Sequence, residues 1–584
     1  MVIEEDVFDK KSQRVEVSQF EYLFGSEYAN DRDFCFKTAM AYDEQDAFPL
    51  SHLEAVIKSG FFEYFIPKNL GGKLEGFEQL IQLAPVLSRR DMTTAIAVGQ
   101  TFLGALPVWL AGTDEQKKTL AKYICQGQLG CLALTEKDNG SDILSTKVTA
   151  TETETGYRLN GEKWIINNAT RGATLSVLVR LRQLTGREKL ACFFVEKSQL
   201  ASDEFHYIDK IKTHGIRGAD ISGICFNNCL VSKSALIPAS EPDIYTIFKT
   251  LQISRILCAG FSLGAFDTAL RVTYRFSVNR RLYAKNIIQI PSVRTTLSDS
   301  YLQLLINDVL AQACARVISY IPDQLSLFSA ICKYYIPMST EKAIDTLKVV
   351  LGARFYLREE HCLGIFQKMS RDNEVVGVFD GSSPVNLSLI SSQMINLAKN
   401  HKAGRFGVHP NLENLFRVTT NYDTEHFLNP KFMSLSNNGR DAIIETFMAL
   451  QRNHRLYPSE KTVVNDIITN SLTILEKNIL AVCDEVLVLE NNGVNDSACT
   501  ERITLAKRYS HLFACVTYVL NWYFNRDIHL AVDECIVAAG LCYMLEDVHL
   551  SYQSKQDLCA AVLAELDRKY LANHLFALRE VRLP

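Results

Sequence analysis

The chain has 584 residues, 47% of them apolar, and a formal net charge of −4. That length has room for about three or four domains, and the near-balanced charge gives no electrostatic footprint for nucleic acid or a membrane surface. Sixteen cysteines occur without CxxC pairs or regular spacing, which excludes a zinc module or disulfide framework and suits a reducing compartment. The opening MVIEEDVFDKKSQ is acidic and polar, unlike a secretory or transit peptide. No apolar run reaches the roughly 18 residues of a membrane span. The expectation is a soluble, cytoplasmic protein.

Residues 1–130 read as helices joined by short turns. Apolar residues recur at helical spacing over Phe77–Leu87 and Thr113–Cys125, with Thr113 or Asp114 as the cap of the second and Gln116 in its first turn. From Cys131 to about Ile237 the pattern turns to strands: Leu175–Val179, Ala191–Val195 and Gly223–Phe226. The stretch Leu132–Asp142 is an apolar strand running into a polar Asn139-Gly140-Ser141 turn, whose exposed N–H groups and hydroxyls suit an anion such as a pyrophosphate. Downstream, Tyr157, Leu159, Trp164, Ile165 and Ile166 surround Asn160-Gly161, a hairpin signal. Gly215-Ile216-Arg217-Gly218 reads as a hairpin connection or a substrate contact. Helical period returns after Pro242 and persists to the C-terminus, with an interdomain hinge expected in 399–438. The late apolar stretches are Ile443–Leu450, Ile467–Val488, Leu505–Trp522, Leu530–Met544 and Leu558–Leu578. His511, His529, His549 and His574 have no metal-binding spacing, so no metal site is expected.

Thr135-Glu136, Gly140-Ser141-Asp142 and Gly161–Asn168 together resemble the flavin-binding core of the acyl-CoA dehydrogenase family, worded roughly T-E-P-x-x-G-S-D and N-G-x-K-x-W-I-T-N. Lys137 stands for the proline, Ile165 for the flavin-stacking tryptophan, and Asn167 for the threonine near flavin N5. Further landmarks follow in order. Arg255 stands where relatives place an arginine near the substrate pocket, preceded by Ser254 where some keep their catalytic glutamate. Arg280 to Ala284 resembles R-x-x-F-G, so Arg280 and Tyr283 would reach the flavin pyrophosphate of a neighbouring subunit. Val349–Phe355 stands in place of Q-x-x-G-G-x-G and lacks the glutamine and both glycines. Arg371-Asp372 leads to Asp380-Gly381-Ser382, matching R-D-x-x-x-x-x-I-Y-E-G-T; the base falls on Asp380, with Glu374 as the next candidate.

The resemblance covers about residues 20–395. It implies a mainly helical fold with a central β-domain: a helical N-domain (1–130), a β-barrel-like domain (131–237), a helical bundle with the catalytic loop (238–400), and an extra C-terminal helical domain (401–584) like that of the very-long-chain branch. It also implies FAD held by Thr135, Ser141, Ile165, Asn167, Arg280, Tyr283 and Ser382, with Arg255 near the substrate. The implied reaction is α,β-dehydrogenation of an acyl-CoA or acyl-carrier-protein thioester, with an electron acceptor such as electron-transfer flavoprotein. A homodimer is expected; nucleic-acid and membrane partners are not. Two alternatives stay open: an oxidase like nitroalkane oxidase, which uses an aspartate at the base position, and a non-catalytic scaffold.

Overall fold

The computed structural model describes residues 14–238, 243–417, 427–458, 460–494, 496–527 and 532–584. Pro242, His529 and the first two residues of the predicted 530–544 stretch lie outside the described residues.

Six helices form the N-terminal layer: α1 (Arg14–Phe24), α2 (Phe36–Glu44), α3 (Leu50–Lys58), α4 (Phe77–Ser88), α5 (Met92–Ala111) and α6 (Asp114–Cys125). Their starts follow local chemistry. Asp91 caps α5 by accepting from the N–H groups of Thr93 and Thr94, and Thr113 and Gln116 form a reciprocal capping box on α6.

The middle of the chain is one curled sheet: β1 (Gly130–Ala133), β2 (Thr149–Glu152), β3 (Gly156–Asn167), β4 (Thr174–Arg182), β5 (Glu188–Glu196), β6 (Phe205–Ile208) and β7 (Ile221–Ser232). β1 and β2 share one edge of β4 in parallel, β5 lies antiparallel on its other edge, and β3 carries β7 and then β6. A separate apolar core, including Val148, Leu159, Val177, Phe193 and Phe226, fills the sheet's inner face. The Asn160-Gly161 hairpin expectation is corrected: β3 runs straight through these residues, paired with β7, and Gly161 (φ +117°) marks a register shift. The turn into β3 instead lies at Thr153–Gly156, where Thr153 N donates to Gly156 O.

The bundle comprises α7 (Asp243–Leu257), α8 (Ala259–Asn279), a short hairpin of β8 (Arg281–Leu282) and β9 (Lys285–Asn286), α9 (Pro291–Tyr320), α10 (Leu325–Leu351), α11 (Glu360–Leu363), α12 (Ile365–Glu374) and α13 (Ser383–Lys402). The extension adds α14 (Glu413–Phe416), α15 (Ala442–Arg452), α16 (Val463–Asn491), α17 (Thr500–Asn525), α18 (Glu534–Met544) and α19 (Tyr552–Leu571). α16 packs on α13, while α17 and α19 pack on α9. One continuous core therefore runs from Val17 to Leu583. Helix Met92–Ala111 and the stretch Ile244–Asn279 are each long and apolar enough to cross a membrane, contrary to the sequence expectation. Their apolar windows are 89% and 100% buried inside the fold, so helix packing accounts for them.

Interdomain docking uses buried charge. Lys368 on α12 donates to Asp91 (2.7 Å) and Asp372 (2.5 Å), and Asp372 accepts from Ile216 N at 2.6 Å. A Cβ on Gly215 would sit 2.4 Å from Arg371 O, and one on Gly218 would sit 2.3 Å from Ala47 O. The Gly215–Gly218 loop is thus a docking contact between the sheet and the helices. All sixteen cysteines are free, and no metal-binding cluster occurs among the described residues.

Candidate active site

The loop after β1 is built on one buried carboxylate. Glu136 accepts from Lys147 N (2.7 Å), Val148 N (3.0 Å), the Thr146 hydroxyl and Lys163 Nζ (2.8 Å). Lys163 is itself fully buried and also donates to Leu134 O at 2.9 Å. Burial alone would raise the Glu136 carboxyl; hydrogen bonds from Lys163 and Thr146, with the lysine charge, bring it down to about 2. This pair shapes the turn that presents Thr135, Gly140 and Ser141.

Facing that turn, β3 shifts register between Trp164 and Ile166, and Trp164 N donates to Thr135 O at 3.1 Å. The residue pushed out is Ile165, at φ +57° and 43% exposed. A β-branched residue in left-handed backbone is a true outlier, of the kind that clusters at functional sites. Two residues on, the side-chain oxygen of Asn167 is buried and has no hydrogen-bond partner.

The third wall follows α12. A single 3₁₀ turn (Val375–Gly377) leads to Asp380 at φ +54° and Gly381 at φ +92°, and Ser382 then sits at the N-cap of α13, ahead of Ser383-Pro384. The Asp380 carboxylate accepts from the Cys258 thiol at 3.5 Å and from the Ser254 hydroxyl. Burial raises this carboxyl; the charges of Lys333 and Arg255 and the Ser254 hydrogen bond oppose the shift without cancelling it. Ser254 thus serves the Asp380 carboxylate.

These walls enclose a cavity of about 400 Å³ lined by Thr135, Ser141, Ile165, Asn167, Asp380 and Ser382, with Gln100 and Leu103 of α5 and Phe248 and Leu251 of α7. Six of the nine predicted site residues therefore meet in one place. Arg255 does not line the cavity: its guanidinium lies across Gly381, where an added Cβ would meet its Nε at 3.1 Å. Arg280 and Tyr283 sit at the β8–β9 hairpin, outside the cavity, and Tyr283 is 92% exposed. Glu374 also lies outside it, 3.8 Å from His214 on the surface. Sequence reasoning missed Lys333 and Cys258, which reach Asp380 from elsewhere in the chain. A lone lysine inside Leu325–Ile336 was the available signal for the first.

Comparison with known proteins follows the same division. The N-terminal, middle and C-terminal domains of acyl-CoA dehydrogenase match residues 32–128, 131–229 and 244–395. The chain belongs to the acyl-CoA dehydrogenase family. Members of this family are FAD-dependent oxidoreductases acting on CH–CH bonds. Among curated relatives, 3-(aryl)acrylate reductase of Clostridium sporogenes is 24% identical over 356 residues, 60% of this chain and 92% of the relative. An acyl-CoA dehydrogenase from Bacillus anthracis complexed with FAD superposes over 97% of this chain and 89% of its own, at TM-score 0.68 and 17% identity. Its fold therefore takes in the C-terminal extension. An active-site aspartate-to-asparagine mutant of nitroalkane oxidase, crystallised with 1-nitrooctane, superposes over 66% of this chain and 96% of its own, at TM-score 0.58 and 15% identity.

The residues present fit FAD, the family's cofactor. The Asn167 side-chain oxygen is an orphaned buried polar atom on the cavity wall. The Thr135 and Ser141 hydroxyls, also on that wall, bond to no described residue. Ile165, Leu103 and Leu134 supply apolar surface for a planar ring.

Proposed function

We propose that the protein carries out FAD-dependent α,β-dehydrogenation of an acyl thioester, with Asp380 as the base. The observation that carries this reading is the convergence of Asp380 with Thr135, Ser141, Ile165 and Asn167 on a single cavity. The Thr135 and Ser141 hydroxyls and the Asn167 amide would hold the cofactor, and bound FAD supplies the acceptor for the hydride leaving the β-carbon. Asp380 removes the α-proton; its raised pKa brings a carboxylate toward the range where it can take and release that proton. The Asp380 N–H donates to no acceptor among the described residues, which leaves it free for the thioester oxygen as charge develops there. Walls of Leu103, Leu251 and Phe379 keep water from the reacting carbons.

The second-subunit contribution belongs to the same reading. Tyr283 (φ +50°) and Ala284 (φ +60°) hold left-handed backbone at the tip of an exposed hairpin. That presentation suits Arg280 and Tyr283 to the cofactor of a second copy, Arg280 meeting its pyrophosphate. An electron acceptor such as electron-transfer flavoprotein would then reoxidise the flavin. The direction of the reaction is set by substrate and acceptor rather than by these residues.

One specific observation favours a second reading. The base position holds aspartate, and nitroalkane oxidase of the same fold has an active-site aspartate. Anaerobic mixing of the yellow protein with a panel of acyl-CoA and acyl-carrier thioesters tests the first reading directly. Bleaching by a thioester supports it. Turnover of nitroalkanes with oxygen, without thioester bleaching, selects the oxidase. A colourless protein that takes up no FAD sinks both.

A further inference from the structure

Lys333 lies within α10, 1% exposed, in a stretch otherwise made of apolar and small side chains. An ammonium taken out of water needs acceptors for its three protons. Among the described residues it forms no ion pair; it donates instead to three carbonyls of one loop, Val376 (2.5 Å), Phe379 (2.7 Å) and Gly381 (3.3 Å). These carbonyls flank Asp380 on both sides. Asn386, also buried, gives Gly381 O a second hydrogen bond at 2.8 Å, and the Ser383 hydroxyl holds Gly377 O at 3.1 Å. Asp-Gly accepts consecutive left-handed residues locally, so the turn itself costs little; what the carbonyl hydrogen bonds add is a fixed position for that turn against α10.

We propose that Lys333 is a positioning residue for Asp380: one buried ammonium, bound to carbonyls before and after residue 380, holds the backbone that delivers the carboxylate to the cavity. The inference rests on the reading of Asp380 as the base. A lysine suits the task because it offers three donors and no acceptor, which a neutral side chain cannot match. Its charge also favours the ionised carboxylate. The other groups facing that carboxylate are Arg255 and Ser254 of α7 and the thiol of Cys258 at the α7–α8 break. Removing Lys333 therefore leaves Arg255 as the remaining cation, and the Asp380 pKa should rise.

The test compares the full-length, FAD-loaded parent with Lys333→Met, Lys333→Gln and Asp380→Asn by two readouts. Hydrogen exchange over residues 375–386 should quicken about 10-fold in Lys333→Met while the β-domain keeps its protection. Anaerobic flavin reduction should slow about 100-fold, with the acid limb of its pH profile displaced to higher pH. Lys333→Gln, which can serve at most two carbonyls, should fall between parent and Lys333→Met, and it carries both readouts if Lys333→Met does not fold. Parent-like exchange in the loop would overturn the proposal whether or not Asp380 is the base. A loosened loop with an unchanged reduction rate and pH profile would overturn it too, leaving Lys333 a core residue only. Normal reduction by Asp380→Asn, together with a loosened Lys333→Met loop, would sink the base assignment and leave the clasp standing.

Discussion

At Asp380 two opposed influences meet: burial that raises the carboxyl, and Lys333, Ser254 and Arg255 that restrain it. The Ser254 hydrogen bond favours the ionised form, so Ser254→Ala should raise the pKa of the base further. Flavin reduction would then lose rate at a higher pH than in the parent on acidification, while its plateau stays within a few-fold. A pH–rate profile of the two proteins checks this, and an unmoved acid limb would mean that Ser254 does not act on the base. Ile165 poses a different question. It occupies left-handed backbone and turns a branched aliphatic group to the cavity where an aromatic ring would offer more stacking surface. Ile165→Trp should tighten FAD binding several-fold in a fluorescence titration; weaker binding would show that the wall cannot take the larger ring.

At the scale of elements, the loop from Glu136 to Val148 hangs on one buried ion pair. Lys163→Met would leave Glu136 buried without its cation, a defect of about 3–5 kcal/mol. The expected outcome is a lower Tm and loss of FAD, since the same loop presents Thr135 and Ser141; retained flavin with a lowered Tm would separate folding from binding. The legibility of such elements from sequence followed the range of the interactions involved. The start of α6 could be read at Thr113 or Asp114 because its signals lie within one turn, and the structure places the cap on Thr113. The Asn160-Gly161 pair misled because its local turn preference is overridden by pairing with β7, which converts it to a bulge. Asp380-Gly381 could be placed from its motif, but not the hold on it: Lys333 is remote in sequence and meets the loop only once α10 packs against it. The same holds for the Gly215–Gly218 loop, whose need for small residues comes from α12 and from Ala47.

At the scale of the whole molecule, the C-terminal helices share one core with the catalytic bundle. Glu78 of α4 receives Arg316 of α9 at 2.7 and 2.5 Å, and also Arg579 from the end of the chain. Burial would raise this carboxyl, but the two arginine charges hold it down near 2. A carboxylate lowered from 4.5 to about 2 contributes on the order of 3 kcal/mol, present above pH 4.5 and lost as pH falls through 2. Arg579→Met should thus destabilise the protein at neutral pH, and the gap from the parent should close on acidification over that window in denaturant titrations. A gap independent of pH would assign the loss to packing alone. Truncation near residue 400 should expose the apolar faces of α9 and α13 and cause aggregation or a changed assembly; a soluble fragment of unchanged assembly would show the extension to be merely appended. Arg280→Ala should lower FAD occupancy in a folded oligomer, and full occupancy would remove the claim that one copy completes the site of another. The Asp380 carboxylate is the decisive group, and the most direct measurement is anaerobic reduction of the bound flavin by an acyl thioester in Asp380→Asn beside the parent. If Asp380 is the base, FAD and substrate binding are retained and reduction slows at least about 100-fold; near-parent reduction would contradict that role.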